Sequence, residues 1–297
     1  MRWLTGILLL NAVASAQDSQ AVNQKWKTIE QAAPPRFGFA AIHIESGKTL
    51  AIDGQARYPM GSVYKALIAL TVLDLADQGK LRLDQPIELR KEDLNGGYSP
   101  LREAFHPGLT LSIEELLRHM VSISDNTACD VLLMRIGGPS EVTRRLRAWG
   151  FRNVQVDRTE KQLAADLSNA DEAELERYWN DPRDTSTPFE MARIMARIAR
   201  CDLVKPTSCA LLKNWMHNTP TSSKRIKGAL PAGVRVEHNT GGMPGVINDA
   251  GIITLPGGKG HIAIAAFLKA VKNVDEAEIT IAETALAAYN VFLLGNN

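Results

Sequence analysis

Hydrophobic positions recur along the chain in two rhythms, one helical and one alternating or continuous. Near the start Val22, Trp26 and Ile29 fall at helical spacing, and Pro34-Pro35 closes that segment. The apolar run Phe37 to Ile44, the turn Glu45-Ser46-Gly47 and the stretch Lys48 to Ile52 predict a β-hairpin. The middle of the chain reads as helices: Val63 to Gln78 ending at Gly79, Ser112 to His119 opening on a capping serine, and Asn126 to Ile136 stopping at Gly137-Gly138. Phe189 to Ala199 and Ser208 to Met216 continue that pattern. Strands return at Val234 to Glu237, Ile247 to Leu255 and His261 to Leu268, with Pro256-Gly257-Gly258 as a turn. A last helix, Val274 to Leu294, presents Ile281, Ala285, Ala288 and Phe292 on one face.

Strands at both ends around a helical middle predict an α/β (α+β) fold. An antiparallel sheet is flanked by the N- and C-terminal helices, and an all-helical domain is inserted, with the active site between the two lobes. The boundaries expected are 17–60 with 217–297 for the discontinuous α/β part and 61–216 for the helical part. Ahead of them lies a leader over 1–16. Arg2, the apolar run from Trp3 to Leu10 and Ala14-Ser15-Ala16 have the layout of a secretory signal cut near Ala16, which predicts a periplasmic or secreted protein without a membrane anchor.

Composition narrows the function classes. The 297 residues carry 34 Lys+Arg against 33 Asp+Glu, a formal charge of +1, which argues against nucleic acid as a partner. The six histidines make no H-x-x-x-H and no C-x-x-C occurs, so no metal and no cofactor is expected. Cys201 and Cys209 flank Lys205-Pro206-Thr207 and can pair across that turn, which export permits and spacing alone leaves open. Cys129, on an apolar helix, is expected as a buried thiol.

Four short segments could carry chemistry. Ser62-Val63-Tyr64-Lys65 is the chain's only Ser-x-x-Lys, and one helical turn would bring the lysine amine beside the hydroxyl. Taken alone the motif is weak, and a helix cap with a solvated lysine is the better reading. Ser124-Asp125-Asn126 reads alone as a capping cluster. Glu160 stands in Asp157-Arg158-Thr159-Glu160-Lys161-Gln162-Leu163, a stretch without clear period, and His238-Asn239-Thr240-Gly241-Gly242 ends a strand.

In this order and spacing the segments resemble the class A serine β-lactamases, relatives of the penicillin-binding proteins, whose signature joins Ser-x-x-Lys, Ser-Asp-Asn and Lys-Thr-Gly. The resemblance extends over nearly all of the chain after the leader and includes Tyr98-Ser99-Pro100, Arg158-x-Glu160-x-x-Leu163, Arg183 to Pro188 and Ala229 to Gly233. It implies a β-lactam substrate, a monomer, and Ser62 as the nucleophile, deprotonated by Lys65 or by Glu160 through water. The backbone N–H groups of Ser62 and Gly242 would hold the oxyanion. Ser124 would protonate the leaving nitrogen, Asn126 would bind the acylamide side chain, Tyr98 would wall the cleft, and Arg225 and Thr240 would meet the substrate carboxylate. Glu160 would then activate the deacylating water.

Two positions depart from the family pattern. Asn239 replaces the motif lysine. Losing a hydrogen bond to a charged group costs roughly 1.5–3 kcal/mol, on the order of tenfold to a hundredfold. His238, next to it, is a candidate for partial compensation. Ala164 replaces an asparagine that in many members helps to hold the deacylating water. The 158–184 segment, an extended omega loop by resemblance and closed by Arg158 and Asp184, is expected to bulge outward and enlarge the cleft rim. Rival readings are a serine peptidase or esterase with the same acylation machinery, or a penicillin-binding protein that acylates and stalls.

Overall fold

A computed structural model describes residues 19–221 and 223–295; the leader expected over 1–16 lies outside them. The chain opens with a helix, α1, through residues 19–32. Strands β1 (Phe37–His43), β2 (Thr49–Ile52) and β3 (Tyr58–Pro59) follow. Next come α2 (Lys65–Asp77), β4 (Pro86–Glu88), α3 (Pro100–Glu103), β5 (Thr110–Ser112), α4 (Ile113–Ile123), α5 (Asn126–Arg135) and α6 (Pro139–Ala148). Then come α7 (Glu160–Asp166), α8 (Glu172–Trp179), β6 (Thr185–Ser186), α9 (Pro188–Arg200) and α10 (Pro206–His217). Strands β7 (Val236–Met243), β8 (Val246–Thr254) and β9 (His261–Lys269) and helix α11 (Val274–Leu294) complete the order.

The main sheet runs β2-β1-β9-β8-β7 with every pair antiparallel. Its central strand shows why the sequence there is an unbroken apolar run. Ile262, Ile264, Ala266 and Leu268 face one core, with Trp26 and the Ile281, Ala285, Ala288 and Phe292 face of α11. Ala263, Ala265 and Phe267 face the other core, shared with α2, α4, α5, α6, α9 and α10. A strand covered on both sides has no polar face to alternate with. The length and apolarity of α11 are explained in the same way, since its buried face lies on the sheet.

Between β3 and β7 the chain wraps helices around α2. Residues Lys65 to Leu73 of α2 are all buried, and α4, α5, α6 and α10 pack against it. A helix apolar on all sides is stable only when enclosed in this way. Ser112 caps α4 reciprocally with Glu115, as its sequence predicts. Cys201 and Cys209 form a disulfide across the α9–α10 turn, and Cys129 is buried and free.

The structure corrects two expectations. The segment expected as one helix from Val63 begins instead as a 3-10 turn, Gly61–Tyr64, that leads into α2 and contains Ser62. The strand expected to stop at Glu237 continues to Met243, carrying its two glycines inside the ladder with β8. A Cβ on Gly241 would stand 2.4 Å from the Met60 carbonyl oxygen, so the glycine marks a close backbone approach rather than a strand end. The extra residues of the long loop form α8, exposed over 172–174 but with Tyr178 buried and Trp179 against Gly245, Trp179 Nε1 donating to the Pro244 carbonyl at 2.9 Å. The aromatic pair at the end of α8 draws the segment onto the β7–β8 turn.

Candidate active site

Ser62 sits half-buried on the 3-10 turn, and three hydrogen bonds hold the residues that lead into that turn. The side-chain amide of Asn248 on β8 donates to the carbonyls of Pro59 at 2.7 Å and Met60 at 2.9 Å. Met60 N–H donates to the Asp184 carbonyl at 3.0 Å. Gly61 has φ +51°, and a Cβ there would lie 3.1 Å from the Gly242 amide nitrogen, so the turn abuts β7 backbone to backbone.

Directly behind it Lys65 is completely buried. Its ammonium donates to the Ser124 carbonyl at 2.7 Å, to Ser124 Oγ at 3.0 Å and to Asn126 Oδ1 at 2.6 Å. It also lies 3.1 Å from Glu160 Oε1, an ionic contact without the alignment of a hydrogen bond, so that oxygen keeps its acceptor capacity. A buried ammonium is tolerable only when surrounded in this way by acceptors and a counter-charge.

The groups around Lys65 are held in turn. Ser124 ends α4 in the left-handed region, φ 60°, a strained conformation for a residue with a side chain. Asp125, fully buried, accepts from Ala128 N–H at 2.9 Å and from Leu101 N–H at 2.8 Å, and Ser99 Oγ stands 3.1 Å away. It caps α5 and pins the Tyr98 loop at once. Asn126 N–H donates to the Tyr98 carbonyl at 3.0 Å, which leaves the Tyr98 ring exposed at the rim.

Glu160 opens α7, and its N–H donates to Asp130 Oδ1 at 2.7 Å while Lys161 N–H reaches Asp130 Oδ2 at 3.1 Å. Burial pushes the Asp130 carboxyl above the usual carboxylate range, partly offset by the hydrogen bonds from Asn95 and these two amides. Arg158 closes the loop's neck, with Nε donating to Asp184 Oδ2 at 2.6 Å and Nη1 to Asp166 at 2.8 Å.

A cleft of about 230 Å³ runs between the helical block and β7. Ser62, Tyr98, Ser124, Asn126, Glu160, Arg225, Thr240 and Gly242 all line it. A hydroxyl, an ammonium–carboxylate pair and a second hydroxyl converging on one cleft suit acyl transfer.

Comparison with known proteins agrees with this geometry. The model of the β-lactamase enzyme family matches residues 21–292. The β-lactamase VEB-1 of Pseudomonas aeruginosa is 33% identical, the match covering 96% of this chain and 95% of that protein. The extended-spectrum β-lactamase PER-1 of the same organism is 33% identical over 81% of this chain and 77% of its own. Among solved structures, a β-lactamase from Chitinophaga pinensis DSM 2588 has TM-score 0.80 and 32% identity, covering 91% of this chain and 98% of that one. The TLA-1 extended-spectrum β-lactamase has TM-score 0.82 and 30% identity, covering 92% and 99%.

The chain belongs to the class A serine β-lactamases.

As a β-lactamase it is a hydrolase of β-lactams, and the two positions that depart from the family pattern can be placed. Asn239 is buried outside the cleft lining. Its amide nitrogen donates to the Val121 carbonyl at 3.1 Å, and its Oδ1 has no partner among the described residues. Successive strand residues face opposite sides of a sheet, so the fully buried His238 turns away from Asn239, and its Nδ1 lies 2.9 Å from both Asp249 oxygens. Ala164 is one helical turn beyond Glu160, exposed and outside the lining. In this β-lactamase several supporting residues escaped the sequence reading: Asn248, Asp130, Thr219 and Thr221. For Asn248 there was a signal, the polar pair Asn248-Asp249 within an otherwise apolar strand.

Proposed function

We propose that this β-lactamase opens the lactam ring by acylating Ser62 and completes turnover by hydrolysing that ester. The observation that carries the reading is the Lys65 ammonium, bonded to Ser124 and Asn126 and paired with Glu160 behind the cleft that Ser62 lines. Glu160 can accept the Ser62 proton through water as Oγ attacks the lactam carbonyl, or Lys65 can accept it directly once its ammonium has passed a proton to Glu160 across their 3.1 Å contact. The backbone N–H groups of Ser62 and Gly242, abutting across the turn, stabilise the oxyanion. Ser124 Oγ gives its proton to the departing nitrogen and is recharged from Lys65 through their 3.0 Å contact. Asn126 binds the acylamide side chain, and Tyr98 walls the cleft. Glu160, whose Oε1 remains available, activates the water that releases product.

The test is a time course with a chromogenic cephalosporin and intact-mass readings throughout. Wild type turns over repeatedly, Ser62→Ala neither turns over nor gains mass, and Glu160→Gln accumulates one adduct per chain. A persistent adduct on the wild-type protein would instead identify an acylating protein that stalls, with Ala164 as the first suspect.

We also propose that the enzyme is a periplasmic or secreted monomer released by cleavage near Ala16. The Cys201–Cys209 disulfide supports an oxidising compartment.

A further inference from the structure

We infer that Trp179, which lies outside the cleft lining, is a positioning residue for deacylation: it latches α8 to the β7–β8 turn and so holds the far end of α7, the helix that delivers Glu160. The inference rests on the reading of Glu160 as the group that activates the deacylating water.

Helix α7 has seven residues and two supports of different kinds. At its start Asp130 takes the N–H groups of Glu160 and Lys161, and Thr159 and Gln162 cap it reciprocally. These bonds fix where the helix begins, but all of them lie at one end and leave the rest free to pivot. A helix this short has little stability of its own, so packing must hold its other end. Leu163, one turn beyond Glu160, is buried in a cluster with Tyr178 and Val246, and Leu167, Trp179 and Met243 pack against it. Leu163 and Leu167 lie four positions apart and so share one face of the chain as it leaves α7. Met243 carries the cluster to the cleft, which it lines.

Trp179 is the member that ties this cluster to the sheet. Its Nε1 donates to the Pro244 carbonyl at 2.9 Å, and its Cζ2 stands 2.4 Å from where a Cβ on Gly245 would be, so the ring fills space that only a glycine leaves open. Lys269 on β9 donates to the Trp179 carbonyl at 3.1 Å and to Asn180 Oδ1 at 3.2 Å. The rest of α8 offers less. Tyr178 is its only buried residue, and its ion pair to the body, Arg36 with Glu176 at 2.9 Å, is solvent-exposed and contributes little. The half-buried indole supplies both apolar area and a directed hydrogen bond.

The latch bears on one chemical step more than the other. Lys65 bonds Ser124 and Asn126, and the turn that carries Ser62 hangs from Asn248; none of these residues belongs to α7 or α8. Among the groups around Lys65, Glu160 alone moves with α7. Attack on the lactam has a route in which Glu160 only takes a proton from its neighbour Lys65. Hydrolysis of the ester requires its carboxylate, the water and the ester carbon in line, and a displacement near 1 Å in such an arrangement costs about a hundredfold. Loss of the latch therefore falls on deacylation.

The experiment separates the two steps by rapid quench with a chromogenic cephalosporin, reading by intact mass how fast the adduct on the protein forms and how fast it disappears. In Trp179→Ala, loss of the adduct is expected to slow by about tenfold to a hundredfold while its formation changes by less than about threefold, so that acylated enzyme accumulates. Trp179→Phe keeps a ring against Gly245 without the N–H, and its adduct should decay at a rate between those of wild type and the alanine variant. Only chains that acquire the adduct enter the decay, so a misfolded fraction does not affect it. Decay within about threefold of wild type in Trp179→Ala, or formation and decay slowed by the same factor, overturns this inference alone. Glu160→Gln shedding its adduct as fast as wild type, or a wild-type adduct that persists, overturns the reading of Glu160, and this inference with it.

Discussion

Gly241 illustrates how little freedom a single position near Ser62 has. A Cβ there would meet the Met60 carbonyl oxygen at 2.4 Å and Val63 Cγ2 at 3.1 Å, and the first of these is backbone that no rotamer change can move. Gly241→Ala must push β7 away from the turn that carries Ser62. Overpacking of this kind costs about 1–3 kcal/mol, while a displacement near 1 Å at a reacting group costs about a hundredfold in rate. The expected result is a modest fall in melting temperature with kcat reduced by about two orders of magnitude, read from steady-state kinetics beside a thermal melt. An alanine variant that melts lower but keeps its kcat would show that the close approach serves stability alone. The same scale explains why Ser124 can hold a left-handed backbone: Lys65 bonds both its carbonyl and its hydroxyl, and Asp125 caps the helix that follows.

At the scale of elements, the first turn of α7 delivers Glu160 and depends on one carboxylate. Asp130 accepts from two successive backbone amides and from Asn95 Nδ2 at 2.9 Å. In Asp130→Asn, one donor would face an amide NH2 group instead of an oxygen, and the loss should be about 1–3 kcal/mol. Its pH dependence has a definite sign. Burial raises the folded-state pKa of Asp130, so between that value and the ordinary carboxylate range the folded protein holds more protons than the unfolded chain. Stability then falls as pH rises through the window and increases as pH falls through it, a trend the asparagine variant lacks. Urea titrations of both proteins at several pH values should show the wild-type advantage widening toward acid. A gap that narrows toward acid would mean that the carboxylate form is the one the fold favours.

Over the whole molecule, the α9–α10 junction is joined by the Cys201–Cys209 disulfide, which closes a short loop with a sequence separation of 8. Loop closure on this scale contributes about 2–3 kcal/mol by restricting the unfolded chain. Reduction should lower the melting temperature by about 4–8 °C. Because neither cysteine lines the cleft, activity at 25 °C should stay within about twofold of the oxidised enzyme. An unchanged melting temperature after verified reduction would locate the molecule's stability elsewhere, in the two cores on either face of the sheet.

What the sequence determined by itself follows from local rules. The apolar run of β9, the single apolar face of α11 and the capping serine of α4 depend on periodicity and on hydrogen bonds within a few residues, which a linear pattern records. The spacing of Ser62, Lys65, Ser124 and Glu160 was legible for a different reason, its likeness to a family whose members keep the same order. Tertiary structure decided the rest. That His238 turns toward Asp249 while Asn239 faces Val121 depends on which side of β7 meets each core. That the end of the long loop docks on the β7–β8 turn depends on Trp179 finding Gly245, 66 positions later, with no side chain in its way. The hydroxyls of Thr219, Thr221 and Thr240 link the segment after α10 to β7 and reach a carbonyl of α4, contacts that exist only once those pieces are assembled. Hydrogen-bond polarity, like charge balance in a cleft, belongs to the set of neighbours a group acquires on folding, and no one residue encodes it.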